Sequence, residues 1–236
     1  MHERTIQLRR PPVLVKVEGR FVPQGVSLAE VDDAWNSLCA ENPRYFDGPA
    51  LQVLGVSRNG HGGVQIHVQE SSYRFVAVRS RGVECGARPI GVKGLVHDGA
   101  RVLMGRRSKS VASYPGAWEF VPGGTLEPGE APEAAIVREL AEETRLALSS
   151  PPVAVAVLFD ATVMSWEIVY RLSAPLARLP EVGWEYDEFR TADAEEFRSM
   201  RQLSACAQQM IPLACAVSVG GATRAASARG RADQAG

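Results

Sequence analysis

The chain has 236 residues, in which 26 lysines and arginines face 27 aspartates and glutamates, for a net charge of −1. With 45% apolar and 22% charged residues, the composition is that of a globular protein of one or two domains. Because the charges balance, no overall field attracts nucleic acid or an anionic membrane, and neither is expected as a partner.

The four cysteines and the two ends of the chain bear on the compartment in which the protein is expected to work. No CxxC pair is present, which argues against a zinc site or a disulfide framework and favours a reducing compartment. Residues 1–12 hold no apolar run, and residues 205–219 are interrupted by two glutamines and a proline. We therefore expect no signal peptide, no membrane span and a cytoplasmic location.

Residues 1–86 predict a small α+β domain. A strand is expected over residues 13–18, and Ser27 with Glu30 forms a capping box that opens a helix ending at Asn42-Pro43. Three further strands are expected over residues 51–56, 64–69 and 73–78.

Residues 87–216 predict a second domain, a mixed sheet between helices. Strands over residues 91–97 and 101–105 flank the turn Asp98-Gly99, and strands follow over 153–159 and 167–172. Helices are expected over residues 132–144 and 194–209. The last segment, 217–236, is rich in alanine and glycine and is predicted to be a disordered tail.

The helix over residues 132–144 concentrates glutamates. On a helical wheel, Glu139, Glu142 and Glu143 point toward one spot. The neighbouring arc is apolar and predicts a core face made of Ala134, Ile136, Val137, Leu140 and Ala141. Three carboxylates at one spot repel each other unless a cation joins them, and oxygen ligands suit Mg²⁺ or Mn²⁺.

The segments before this helix indicate phosphate chemistry. Gly123 and Gly124 allow the backbone to approach another group closely. Arg106 and Arg107 offer donors for phosphate oxygens, but neighbours on a strand point to opposite faces, so at most one faces a pocket. The sequence does not choose between them. Metal, close backbone and arginine together predict a site that processes phosphates.

Spacing identifies the pattern. The residues Gly124, Glu130, Arg138, Glu139, Glu142 and Glu143 match the box G-x5-E-x7-R-E-U-x-E-E-x-G-U. With each residue type at about one position in fifteen, such a match arises by chance in roughly one chain in 10⁵. Residues 88–215 therefore resemble the Nudix hydrolases, which implies an α/β/α sandwich and a metal-dependent pyrophosphatase.

The resemblance implies a role for each matching residue. Glu142 and Glu143 would be the main metal ligands, Glu139 a ligand or the general base, and Glu130 would complete the metal environment. Gly124 would bring backbone close to the metal, Gly123 and Gly124 would contact substrate, and Arg138 would hold the glutamates in place. Because the base often lies outside the box, Glu185 and Glu188 compete with Glu139, although a surface position is the commoner reading for both.

One box position departs from the pattern. Arg145 stands where the family has a glycine that closes the helix in a left-handed turn. Arginine either adopts that conformation at a cost of about 1 kcal/mol or extends the helix by one residue.

The substrate must be inferred from outside the box. Residues 42–49, with Trp35 and residues 72–75, resemble the front half of Nudix proteins that hydrolyse UDP-glucose and UDP-galactose. The same aromatic residues, Tyr45, Phe46 and Phe75 among them, also suit a core. Trp166, Trp184 and Tyr114 either stack on a base or pack, and packing is the default.

Several alternatives stay open. We expect hydrolysis of UDP-sugars to UMP and a sugar phosphate, and the alternative is another nucleotide such as ADP-ribose, NADH or a nucleoside triphosphate. A non-catalytic binding module is disfavoured because all four box carboxylates are present, and a prenyl diphosphate isomerase is disfavoured because Cys85 lacks a suitable context. A homodimer is possible.

Overall fold

A computed structural model describes residues 4–217. The strands of the first part of the chain are β1 (Arg4–Gln7), β2 (Val13–Arg20), β3 (Pro49–Arg58) and β4 (Val64–Ser72). The later strands are β5 (Ile90–Asp98), β6 (Arg101–Arg107), β7 (Trp118–Phe120), β8 (Gly123–Thr125), β9 (Val153–Asp160), β10 (Ser165–Ser173) and β11 (Tyr186–Ala192). The helices are α1 (Leu28–Glu41), α2 (Arg74–Ala77), α3 (Pro132–Thr144), α4 (Ala194–Ser199) and α5 (205–217).

The large sheet has the order β1-β9-β10-β5-β6-β11, with β7 paired to β6 and β8 paired to β5. It is mixed, since β10 and β5 run parallel while β9 and β10 are antiparallel. Alternate residues along each strand enter two separate cores. Val157 packs in the core that contains Ile136 of α3, whereas Leu158 packs with Phe197 of α4 and Met210 of α5. The expected α/β/α sandwich is confirmed.

The smaller sheet, β2-β4-β3, lies in the first part of the chain with α1 and α2. Ser27 and Glu30 form the predicted capping box of α1, with each side chain bonded to the backbone of the other residue. The inner side chains of β3 and β4 join the core on the α3 side of the large sheet, while Val31 and Leu38 of α1 pack with Phe75.

Helix α3 has the predicted bounds, but its buried face differs from the wheel. Val137 is exposed, as are Ala134 and Ala141, whereas Ala135 and Thr144 are buried. The buried positions lie three or four residues apart and form a narrow stripe, because α3 rests on the sheet with only one side. Glu139 belongs to that stripe and is itself buried.

Two predicted elements are wrong. The strand expected over 73–78 is helical, because Phe75 and Val78 are buried together at helical spacing against α1. The helix expected over 194–209 is two helices. Helix α4 ends before Met200, and the Ser204 hydroxyl accepts a hydrogen bond from Ala207 N at 3.0 Å, which starts α5.

The first strand connects the two parts of the chain. Strand β1 pairs antiparallel with β9, with Arg4 opposite Phe159 and Gln7 opposite Ala156. The division into domains 1–86 and 87–216 stays a prediction. The predicted tail lies outside the described residues from 218 onward, and Val217 is helical and buried. Within residues 4–217, every helix is too short or too polar to cross a membrane.

Arg145 ends α3 in the left-handed conformation, with φ 56° and ψ 17°, so the helix is not extended. Its N–H donates to the Ala141 carbonyl at 3.0 Å. Glycine removes the steric cost of this conformation but gains freedom when unfolded, so Arg145→Gly is expected to raise the free energy of unfolding by about 0.5–1 kcal/mol. Chemical denaturation measures the change.

Arg145→Asn is a graded control, because asparagine tolerates this conformation better than arginine does. We expect a smaller gain in stability and a kcat within about three-fold of the wild type for both variants, since the side chain holds no site carboxylate. A larger change in kcat would show that the end of α3 shapes the site.

Candidate active site

A cavity of about 950 Å³ lies between the two parts of the chain, within the size range of small-molecule sites. Glu139 and Gly124 line it from the sandwich. Arg44, Phe46 and Tyr73 line it from the N-terminal part. The box motif and the N-terminal segment therefore face one common space.

Glu139 and Gly124 are in direct contact. The Glu139 carboxylate lies against the Cα atom of Gly124, where any Cβ atom would overlap it. Gly124 belongs to β8 and pairs with Val92 of β5, so its backbone is fixed. The close approach predicted for this glycine is thus to a site carboxylate. Burial raises the pKa of Glu139, although the Arg138 guanidinium partly opposes the shift.

Arg138 connects three of the box glutamates. Its guanidinium donates to Glu130 at 2.9 and 3.0 Å, to Glu139 at 2.7 Å and to Glu142 at 3.4 Å. The bonds to Arg138 lower the pKa of Glu130. Glu142 is exposed, with 60% of its side chain accessible. Charge-assisted bonds of this kind hold the carboxylates in fixed positions.

Glu143 lies deeper. Its Oε1 accepts from Gly123 N at 3.2 Å, and its Oε2 is buried without a hydrogen-bond partner. Burial, together with the charge of Glu185, raises the pKa of Glu143 to about 8. An orphaned carboxylate oxygen in a buried position needs a cation or a proton.

The carboxylate oxygens of the site are the donors that would bind a divalent metal. Within residues 4–217, no three acidic, histidine or cysteine side chains are already grouped as a metal site, and Arg138 holds Glu139 and Glu142 instead. The orphaned oxygen of Glu143 and the crowding of carboxylates are what a divalent cation would relieve, and oxygen donors are those that Mg²⁺ and Mn²⁺ prefer. The residues present therefore fit such a metal by their chemistry.

The two arginines face different spaces. Arg107 lines the 950 Å³ cavity, where its side chain is 12% exposed and donates to Glu185 at 2.9 Å. Arg106 lines a separate cavity of about 700 Å³ together with Lys109. Neighbouring residues on β6 point to opposite faces of the sheet, which explains the separation, and Arg107 is the one of the pair that lines the same cavity as Glu139.

The two candidate general bases outside the box, Glu185 and Glu188, lie in different surroundings. Glu185 lines the cavity, whereas Glu188 pairs with Arg106 at 3.5 Å and is half exposed.

Glu188→Gln is therefore expected to leave kcat within about three-fold, since an exposed ion pair contributes little. Glu185→Gln is expected to lower kcat about ten-fold or more, because the cavity loses a carboxylate and Arg107 loses the nearer of its two acidic partners. Steady-state kinetics of the matched pair tests this, and equal effects would contradict the placement.

Sequence reasoning missed a set of charged residues at the bottom of the cavity. Glu119, Glu167 and Asp160 are at most 8% exposed, and Lys93 donates to Glu119 at 3.1 Å. Burial raises the pKa of Glu167 to about 7, and Ser165 donates to it at 2.7 Å. Charged residues inside otherwise apolar strands were the available signal, since such residues are seldom buried without a function or a partner.

The candidate aromatic residues have different fates. Trp166 is buried and packs on Phe159, with ring centroids 5.1 Å apart, and Tyr114 donates to both Asp160 oxygens at 2.8 and 2.6 Å. Trp184 and Phe46 are 67% and 77% exposed and both line the cavity. A core position for Phe46 is therefore wrong, while Phe75 is in the core.

A family model decides the relationship. The NUDIX domain model matches residues 87–207, which is half of the chain. The chain belongs to the Nudix family. It is a Nudix hydrolase, a pyrophosphatase of a family that acts on small-molecule nucleotides and generally uses divalent metals. Comparison with curated protein sequences finds no match.

Solved Nudix structures are similar to part of the chain. A MutT protein from Methanosarcina mazei Go1 is 22% identical over 53% of this chain and 91% of its own, with a TM-score of 0.44. A MutT Nudix hydrolase from Burkholderia pseudomallei is 20% identical over 52% and 95%, with a TM-score of 0.43. A bifunctional NMN adenylyltransferase/ADP-ribose pyrophosphatase from Francisella tularensis, complexed with AMP and a Mn ion, is 20% identical over 58% and 44%, with a TM-score of 0.44.

Proposed function

We propose that this Nudix hydrolase cleaves a nucleoside diphosphate linked to a sugar, with UDP-glucose or UDP-galactose as the substrate and UMP and a sugar phosphate as the products. One observation carries the proposal. The N-terminal segment that resembles UDP-sugar-hydrolysing Nudix proteins lines the same cavity as the box residue Glu139, through Asn42, Arg44, Tyr45 and Phe46. Its residues are thus available to a substrate and are not all used for packing.

The bottom of the cavity supports a hydroxyl-rich ligand. Glu119 and Glu167 supply carboxylate acceptors and Lys93 an ammonium donor, all of which line the cavity. Burial alone would lower the pKa of Lys93, but the acidic groups around it, with Glu119 first among them and Glu167 also present, together raise that pKa above its usual value, so the ammonium stays protonated. Sugar hydroxyls both donate and accept hydrogen bonds, and buried polar groups discriminate strongly against ligands that leave them unpaired.

The proposed roles follow the arrangement of the side chains. Glu142 and Glu143 would be the main ligands of the metal, Glu139 would be a further ligand or the general base, Glu130 would complete the surroundings, and Gly124 would provide nearby backbone. When bound, the divalent metal neutralises charge on the phosphate oxygens and makes water more acidic. Arg138 also lines the cavity, but its guanidinium is bonded to Glu130 and Glu139, so it acts on them as a positioning residue.

The chain's own groups account for the proton and the phosphates. Water attacks one phosphorus atom, the bond from that phosphorus to the bridging oxygen breaks, and a cavity carboxylate takes the proton of the water. Glu139 and Glu185 line the cavity and compete for this role. Arg107 donates to phosphate oxygens, assisted by the backbone of Gly123 and Gly124, whereas Arg106 faces the other cavity.

A product screen tests the function. Purified protein with Mg²⁺ or Mn²⁺ is offered UDP-glucose, UDP-galactose, ADP-ribose, NADH and nucleoside triphosphates, and Glu143→Gln serves as the blank. Release of UMP and sugar phosphate that is absent from the blank supports the proposal. Cleavage of another member alone would replace the UDP-sugar assignment, and failure to cleave any member would contradict it. A cytoplasmic location and a homodimer remain predictions of the sequence.

A further inference from the structure

The mouth of the cavity carries two large exposed aromatic side chains. Phe46 comes from the N-terminal part and is 77% exposed, and Trp184 comes from the loop before β11 and is 67% exposed. Both line the same cavity as Glu139. Exposed aromatic groups that face one space are more informative than scattered apolar residues, since they leave a ring-sized contact area unused.

The loop that carries Phe46 is braced from below. The Asp47 carboxylate accepts from the Ser72 hydroxyl and from Arg74 N, the latter at 2.9 Å. The Gly48 carbonyl accepts from Tyr73 N at 3.0 Å, and Gly48 N donates back to the Phe46 carbonyl at 3.0 Å. These bonds fix the backbone on both sides of an exposed ring. With this backbone fixed, less conformational freedom is lost when a ligand contacts the ring.

The Trp184 side is braced as well. The next residue, Glu185, accepts from Arg107 at 2.9 Å through its side chain and from Ser108 N at 2.7 Å through its carbonyl. Strand β11 begins at Tyr186, directly afterwards. The backbone directly after Trp184 is therefore held in place, and the exposed ring lines the same cavity as Glu139 and Glu185.

The side chains that line the cavity change in character from its exposed end to its buried end. Its mouth offers the two exposed rings, while Glu119, Glu167 and Asp160 at its bottom are 4%, 8% and 1% exposed. A nucleotide sugar has the same gradient, because the base has two flat apolar faces and the sugar carries hydroxyls. Aromatic side chains bind bases through these faces, whereas buried charged groups suit hydroxyls.

We propose that Phe46 and Trp184 form a base-binding subsite, in which both rings contact the planar base of the nucleotide and place its diphosphate near Glu139. The inference rests on the proposed function in taking the ligand to be a nucleotide. It adds that the N-terminal part contributes directly to nucleotide binding, and that the base lies at the mouth with the sugar inside.

Binding of UMP and AMP, measured by calorimetry with Mg²⁺ present, tests the subsite without hydrolysis. Stacking on an aromatic side chain contributes about 1–3 kcal/mol per base, so Phe46→Ala and Trp184→Ala are each expected to raise Kd about 5- to 150-fold. Phe46→Tyr restores an aromatic face and is expected to restore Kd. Glucose 1-phosphate, which has no base, is expected to bind the variants as it binds the wild type.

Matched controls are Val22→Ala and Val182→Ala, which remove exposed apolar side chains outside the cavity lining, the second from the same loop as Trp184. Their Kd values should not change. For UDP-glucose, Phe46→Ala should raise KM by the same factor as Kd and leave kcat within about two-fold. Phe46 is exposed, so thermal melting should show the variant to be folded.

The outcomes separate the two proposals. Normal UDP-glucose hydrolysis with an unchanged KM in either alanine variant would overturn the subsite and leave the function standing. Nucleotide binding that weakens in the variants, without hydrolysis of any UDP-sugar, would support the subsite and remove the proposed substrate. Weaker binding of glucose 1-phosphate, rather than of UMP, would overturn the proposed orientation. Failure of both UMP and AMP to bind the wild type would overturn the subsite.

Discussion

Glu143→Gln is expected to lower kcat by about 10²–10⁴-fold, because a neutral amide cannot replace an anionic metal ligand whose loss forfeits several kcal/mol of transition-state stabilisation. Glutamine keeps the size of the side chain and an oxygen that can accept from Gly123 N, so the fold should persist. Since burial already raises the pKa of Glu143, the neutral side chain should not lower the melting temperature of the metal-free protein.

Steady-state kinetics on the substrate found in the screen measures this loss, and Glu181→Gln is the matched control. Glu181 is 77% exposed and pairs only loosely with Arg178, at 3.8 Å, so its variant should keep wild-type kcat. Calorimetric titration with Mn²⁺ provides a second readout, in which Glu143→Gln should bind the metal more weakly. A folded Glu143→Gln protein with wild-type kcat would remove Glu143 from the metal site.

Gly124→Ala is the second large effect, with kcat expected to fall by about 10²-fold or more, since misplacing a catalytic group by about 1 Å has that consequence. The new Cβ atom would overlap the Glu139 carboxylate itself, and the backbone of Gly124 is held by its pairing with Val92. The carboxylate must therefore move away from its bonds with Arg138.

Gly55→Ala is the control for this variant, because a Cβ atom at Gly55 meets no heavy atom within 4 Å and its φ needs no glycine. Circular dichroism establishes that both variants are folded, and kinetics compares their kcat values. If Gly124→Ala retained more than about a third of the wild-type kcat, the contact between Gly124 and Glu139 would have no part in catalysis.

Local signals predicted the helices that begin with clear caps. Ser27 and Glu30 satisfy each other in a capping box, and Pro132 at the first position of α3 fits a helix start, so both starts follow from neighbouring residues alone. The spacing of the box residues likewise identified the family from the sequence, because these residues lie close together in the chain, on α3 and in the segment that begins with β8. Patterns of short range carry this information.

Features that depend on contacts between residues distant in the chain could not be predicted from the sequence. Phenylalanine is usually buried, so the sequence around Phe46 suggests a core position. The side chain is exposed because the fold places it at the mouth of the cavity. The buried charges of Lys93, Glu119 and Glu167 come from three different strands, so nothing in the local sequence joins them. The break between α4 and α5 depends on the cap at Ser204, which is buried, and a serine in the sequence does not by itself distinguish a cap from a position inside a helix.

The pairing of β1 with β9 has a consequence for how the chain acquires its fold. Residues 4–7 find their partners at residues 156–159, so the contact spans most of the described chain. During synthesis at about 5–20 residues per second, the first strand would wait on the order of ten seconds or more before its partner is made. Strand β1 is also an edge of the large sheet. A shortened protein that lacks β1 would expose β9 as an open edge, which favours aggregation, so residues 4–7 cover an edge that is synthesised about 150 residues later.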